Sequence, residues 1–137
     1  MAKKGRERYA PRVVPLLRAA AAAGHPAAAH ALATWYIHGI GVRKNLKTAV
    51  ALEHIAERAG VAEAAYNLGY SYERGKGVKK DLRMAVRYYR RAARLGDVEA
   101  AYEVGRCYFY GIGVAKDERL GRKWVERAKV AGYDESS

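Results

Sequence analysis

Small and apolar residues fall at Ala64, Ala65, Leu68, Gly69 and Tyr72, the i, i+1, i+4, i+5, i+8 spacing that paints one side of a helix. Gly75 and Gly77 end that run, since glycine reaches the positive φ that closes a helix C-terminus and starts a tight reversal. Asp81 then supplies a side-chain oxygen of the kind that accepts from free N–H groups at a helix start. Helical spacing resumes at Ala85, Tyr88, Tyr89 and Ala92 and stops at Gly96. Residues 60–95 therefore predict a helix, a glycine turn and an antiparallel helix.

The same pattern recurs at a period of 36 residues: Gly24, Gly60, Gly96 and Gly132 occupy one site, and Asn45, Asp81 and Asp117 another. Three units follow, 24–59, 60–95 and 96–131, with helices at about 26–38, 45–59, 62–74, 81–95, 98–110 and 117–131. Units of this kind bury their apolar faces only by stacking on their neighbours, which predicts an all-α solenoid. PRVVPLLRAAAAA, residues 11–23, aligns with the second helix of the central unit 72 residues downstream and is expected to be a capping half-repeat. Its prolines are expected near the helix start, where they are tolerated. Residues 1–10 are expected to form a basic disordered arm and 132–137 a short tail.

The run AAYNLGYSYERGKGVKKDLRMAVRYYRRAARLGD resembles the Sel-1-like repeat, a relative of the tetratricopeptide repeat, and the resemblance extends over about residues 24–131. Its hallmark is A-x-x-x-L-G-x-x-Y-x-x-G-x-G-V, a lysine or aspartate, then A-x-x-Y-Y-x-x-A-A. The resemblance implies a right-handed α–α superhelix of antiparallel helix pairs and a role in binding proteins. Members of the family act as adaptors, toxin-neutralising partners and signalling scaffolds. Three departures, Ala33 for the helix glycine, Glu53 for a tyrosine and Gly121 for a helix alanine, read as drift towards the ends of the array.

Half of the 137 residues are hydrophobic, enough for one domain with an elongated core. One cysteine excludes internal disulfides and fits a reducing, cytoplasmic setting, unlike relatives that staple each helix pair. MAKKGRERY followed by VVPLLRAAAAAG imitates a secretory signal, but Pro15 and Arg18 interrupt its apolar core and cleavage would cut into the first repeat. No stretch reaches the ~18 apolar residues of a membrane span. The net charge of +12 points to an anionic partner or surface.

Chemistry-bearing motifs are scarce. The loops Gly39-Ile40-Gly41, Gly75-Lys76-Gly77 and Gly111-Ile112-Gly113 lack the preceding strand and third glycine of a dinucleotide cradle, so they read as turns. His25, His30, His38 and His54 follow no ligand spacing, and His30 stands where Tyr66 and Tyr102 stand in the other copies, which predicts packing rather than metal binding. Cys107 shares its site with Trp35 and Ser71 and has no recurring histidine beside it. No cofactor, metal or catalytic residue is assigned, and an enzyme is not expected.

Two faces remain once the recurring positions are set aside. First helices line the concave groove in helical-pair solenoids, and their variable positions are Thr34, Trp35 and His38, then Asn67, Tyr70 and Arg74, then Glu103, Arg106 and Tyr110. These form the expected partner site. On the second helices Arg83, Arg87, Arg90, Arg91 and Arg94 make a nearly acid-free stripe, continued by Arg119, Arg122, Lys123 and Arg127. The leading expectation is a non-enzymatic scaffold binding an acidic protein or peptide, as adaptor or as toxin-neutralising immunity protein. An RNA- or polyanion-binding solenoid is the rival, disfavoured because the aromatics sit at packing sites instead of alternating with the arginines. Trp124 and Val125, where a following repeat would pack, point either to self-association through the C-terminal helix or to a longer repeat array of which this chain is a piece.

Overall fold

Every first helix of a pair ends on a left-handed glycine and every second helix opens on a side-chain cap. The computed structural model describes residues 3–134, and among them seven helices run in order: α1 (Lys3–Ala22), α2 (Pro26–His38), α3 (Leu46–Arg58), α4 (Ala62–Arg74), α5 (Leu82–Arg94), α6 (Val98–Tyr110) and α7 (Glu118–Val130). Gly39, Gly75 and Gly111 close α2, α4 and α6 at φ 67°, 66° and 72°. Asn45, Asp81 and Asp117 accept from the backbone N–H of Thr48, Met84 and Leu120 at 3.0, 3.2 and 3.0 Å, relieving donors that a helix start leaves unpaired. The chain is an all-α superhelix of antiparallel pairs, as the spacing predicts.

Each pair packs most extensively within itself and then on the next helix along. Close approach is possible because the facing residues are small: Ala29, Ala33, Ala64, Ala65, Ala85, Ala92 and Ala100 are fully buried. In the third pair the two backbones meet directly, since a Cβ on Gly105 would lie 2.9 Å from the Gly121 carbonyl and one on Gly121 2.8 Å from that of Gly105. Gly121 is thus a packing requirement, not drift. The second glycine of each turn has a separate task. A side chain at Gly77 would run into the Leu46 carbonyl, and one at Gly113 into that of Leu82, so these glycines let each turn seat on the second helix of the preceding pair.

The N-terminal end departs from expectation. Helix α1 begins at Lys3 and runs through residues placed above in a disordered arm, and Pro11 and Pro15 lie inside it. Each proline removes one backbone hydrogen bond, but Ala10 and Val14 are buried in the core with Leu32, and Ala10 sits against Gly41. Docking on the first repeat holds the helix where propensity alone disfavours it. Of the tail, Tyr133 stacks on Tyr102 at 4.4 Å between centroids, and residues 135–137 lie outside the described residues, as do residues 1–2 of the arm.

Trp124 and Val125 do not project from the end of the array. Trp124 packs against the buried cluster of Ala85, Val86, Tyr89, Val104 and Cys107, with Arg127 4.7 Å from its ring centroid, and Val125 lies over Gly105. The two residues expected to mediate self-association therefore pack inward, on the last two repeats; Val130 on α7 is 81% exposed.

A candidate protein-binding cleft

The two seams between repeats are built from different chemistry. At the second, between α4, α5 and α6, Tyr89 is 1% exposed and its ring covers Gly69, where a Cβ would lie 2.6 Å from Cδ1. The Tyr89 hydroxyl donates to Glu73 Oε1 at 2.9 Å. Arg106 Nη2 donates to both Glu73 oxygens, at 2.7 and 2.8 Å, and to Glu103 Oε2 at 2.6 Å. Burial pushes the Glu73 carboxyl up, yet the bonds from Arg106 and Tyr89 outweigh it and hold it below the ordinary carboxylate value. Around Glu73 and Arg106 this seam is filled; towards the N-termini of α4 and α6, Glu63, Tyr66, Asn67, Asp97, Val98 and Glu99 line a separate hollow of about 400 Å³.

At the first seam, between α2, α3 and α4, the site of Tyr89 is held by Glu53 and that of Gly69 by Ala33. Glu53 is 2% exposed, accepting from Asn67 at 2.5 Å and from His30 Nδ1 at 2.8 Å. His30 Nε2 lies 2.9 Å from Glu63 Oε2. Both ring nitrogens face carboxylate oxygens, so both carry protons and the ring is an imidazolium. Its pKa is raised to about 9, chiefly by the Glu53 hydrogen bond, against a smaller opposing effect of burial. His30 is therefore an ionic bridge and not the aromatic filler its alignment with Tyr66 and Tyr102 suggests. Glu53 and His30 are a matched pair, not end-of-array drift.

A glutamate reaches less far than a tyrosine, and the space beyond it is open. The result is a cleft of about 420 Å³ whose walls are Thr34, Ile37 and His38 of α2 and Asn67, Tyr70 and Ser71 of α4, floored by Leu46, Ala49, Val50 and Glu53 of α3. Lys44 and Lys76 enter from the two glycine turns. Four of the residues expected on the concave face, Thr34, His38, Asn67 and Tyr70, thus come together. Arg74 stands beside them, 5.4 Å from the centroid of Tyr70, which is 43% exposed. The others are elsewhere. Trp35 packs into the core near α1, Glu103 and Arg106 are consumed in the filled part of the second seam, and Tyr110 is 67% exposed with its ring edge-on to Phe109.

The basic stripe also divides. Arg83, Arg87, Arg94, Arg119 and Lys123 are exposed and make no ion pair among the described residues. Arg91 is bound to Glu57, with Nε 3.0 Å from Oε1 and Nη2 donating to the backbone carbonyl at 3.3 Å. Arg90 hydrogen-bonds the Tyr108 hydroxyl, Arg122 lies 3.7 Å from Glu118 and Arg127 covers Trp124. The acid that breaks the stripe comes from α3, a helix that the reading of α5 alone does not include. The two networks at the seams escaped the sequence for a similar reason: their members sit on three helices, and only the joint departure of His30 and Glu53 from the repeat hints at them.

Among the described residues no group of three or more His, Cys, Asp and Glu is placed to hold a metal ion. Cys107 is wholly buried and its thiol is pushed up to about 12 by that burial, the opposite of an activated nucleophile. No described helix is long and apolar enough to cross a membrane.

Three tandem Sel1 repeat matches, at residues 26–60, 62–97 and 98–132, span most of the chain. The chain belongs to the Sel1 repeat family. Its relatives of known structure share the architecture. A Sel1 repeat protein from Oxalobacter formigenes is 35% identical, with a TM-score of 0.81 over 91% of this chain and 94% of that one. A protective antigen of uropathogenic Escherichia coli displaying an SLR fold is 33% identical, with a TM-score of 0.84 over 88% of this chain and 26% of its own. Helicobacter pylori cysteine-rich protein B is 25% identical, with a TM-score of 0.70 over 99% of this chain and 95% of that one. None of the curated proteins compared matches this Sel1 repeat chain. Sel1 repeats serve in general as protein-interaction scaffolds.

Proposed function

We propose that this Sel1 repeat chain is a non-enzymatic scaffold that binds a protein or peptide segment on its concave face, at the cleft between the first two repeats. The observation that carries the reading is the unequal filling of the two seams at equivalent positions: Tyr89 and Arg106 fill the second there, while Glu53 leaves the first open beneath Tyr70. An open, half-apolar concavity with a few polar groups and an exposed aromatic beside an arginine is the kind of surface on which binding energy concentrates.

A photo-crosslinking residue placed at Tyr70, and separately at Arg87 on the outer face, tests this in native lysate with and without nuclease. Adducts to protein from the Tyr70 position that survive nuclease are expected. Adducts confined to the Arg87 position, or lost with nuclease, would replace the scaffold reading with the polyanion one.

A further inference from the structure

We propose that the cleft between the first two repeats selects an acidic segment carrying one aliphatic side chain, its carboxylates held by Lys44 and Lys76 and its apolar group seated among Ile37, Leu46 and Val50. This rests on the concave-face reading above and adds the chemistry of the occupant.

The charges at the cleft decide the sign. Lys44 and Lys76 line it from opposite turns, are exposed and form no ion pair among the described residues. Lys76 stands where the other copies have Ile40, which is 2% exposed, and Ile112, which packs on a core cluster. An apolar anchor of the repeat has thus been exchanged for a cation that lines this cleft. Arg74 adds a further positive group beside Tyr70.

The single carboxylate lining the cleft is Glu53, and it does not repel an incoming acid. One of its oxygens accepts from Asn67 and the other from the imidazolium of His30, and the side chain is almost wholly buried. The cleft presents lysines at its edge and a neutralised pair at its floor, so its outward potential is positive.

The same charges set a limit on the acidic stretch. Past Asn67 the surface changes sign, because Glu63, Asp97 and Glu99 rim the adjoining hollow. An acidic run that extended from the cleft across Asn67 would meet these carboxylates, so the favoured occupant is a short acidic stretch and not a long polyanion. A nucleic-acid strand, which carries charge along its whole length, is disfavoured on this face.

The test uses the full chain and three labelled pentapeptides, each with a central leucine flanked on both sides by two glutamates, two serines or two lysines, followed by amide chemical-shift mapping at low salt. The glutamate peptide is expected to bind most tightly and to shift Thr34, Asn67, Tyr70 and Ser71. Lys44→Glu with Lys76→Glu is expected to weaken it roughly tenfold or more, with the thermal unfolding midpoint retained because both lysines are exposed and neither has an ion-pair partner among the described residues. If the serine or lysine peptide binds the cleft as well as the glutamate one, the charge selection is wrong while the concave site stands. Shifts confined to the outer face around Arg83 and Arg87, or no binding of the glutamate peptide, overturn the inference. The crosslinking from Tyr70 then decides the concave reading separately.

Discussion

Gly69 lies beneath the Tyr89 ring so closely that a single added methyl would stand 2.6 Å from it. The ring cannot step aside, because it is 1% exposed and its hydroxyl is tied to Glu73. Where the first repeat has alanine at the glycine site, it has glutamate at the tyrosine site, so the two positions exchange volume as a pair. Gly69→Ala is expected to lower stability by ~1–3 kcal/mol, and Gly69→Leu by at least as much, through overpacking. Urea denaturation measures it. An unchanged midpoint for Gly69→Leu would show that the register of the repeats is wrong.

His30 makes the first seam sensitive to alkali. Its folded pKa, about 9, lies above the ordinary 6.5, so the folded chain holds a proton that the unfolded chain releases. The contribution is complete below pH 6.5 and fades as pH rises through about 9. His54 works in the opposite direction: burial first, and Arg58 second, lower its pKa, so its effect is a loss of stability as pH falls through 6.5 and below. Denaturation midpoints at pH 6.5, 7.5, 8.5 and 9.5 should therefore decline more steeply for the natural chain than for His30→Gln. Equal slopes would mean that the imidazolium bridge does not form in solution.

How much of this could be read from the residues follows from where each interaction lies. The glycine turns, the Asn45, Asp81 and Asp117 caps and the buried alanines are set by neighbours a few positions away and repeated three times, so periodicity exposes them. The His30 bridge joins α2 to α3 and α4, and the Arg91–Glu57 pair spans 34 positions between second helices of adjacent repeats. Such pairs have no local signature. The half of helix α1 from residue 11 onward is legible from its alignment with α5, but its start at residues 3–10 is not: a basic run before two prolines argues against a helix there until the buried contact of Ala10 with the first turn is known.

Arg106, expected from the sequence to face a partner, is instead committed to filling the second seam around Glu73. Two carboxylates meet on its guanidinium, and both approach within 2.8 Å. Removing it leaves Glu73 and Glu103 close together without their common cation. Arg106→Ala is expected to cost ~1–3 kcal/mol of stability, and Arg106→Lys to recover only part, since an ammonium cannot offer the planar fork. Urea titrations of both variants check it. A silent Arg106→Ala would return this residue to the list of partner contacts.

The split of the basic stripe makes its arginines separable: those exposed on the outside should act on association alone, and Arg91 on stability. Charge reversal at Arg83, Arg87 and Arg94, which are exposed and have no ion-pair partner among the described residues, should leave stability within about 0.5 kcal/mol of the natural chain. The same three changes should slow association with an acidic partner and flatten its salt dependence, because exposed charges steer encounters and are screened over ~8 Å at physiological ionic strength. Arg91→Glu should behave differently, placing two carboxylates together where Arg91 and Glu57 now pair, and should destabilise the fold. Duplex and single-stranded oligonucleotides at two salt concentrations supply the control. If the natural chain holds them tightly, loses them steeply as salt rises, and the triple reversal abolishes that binding, the outer arginines neutralise phosphates and the chain is a polyanion binder.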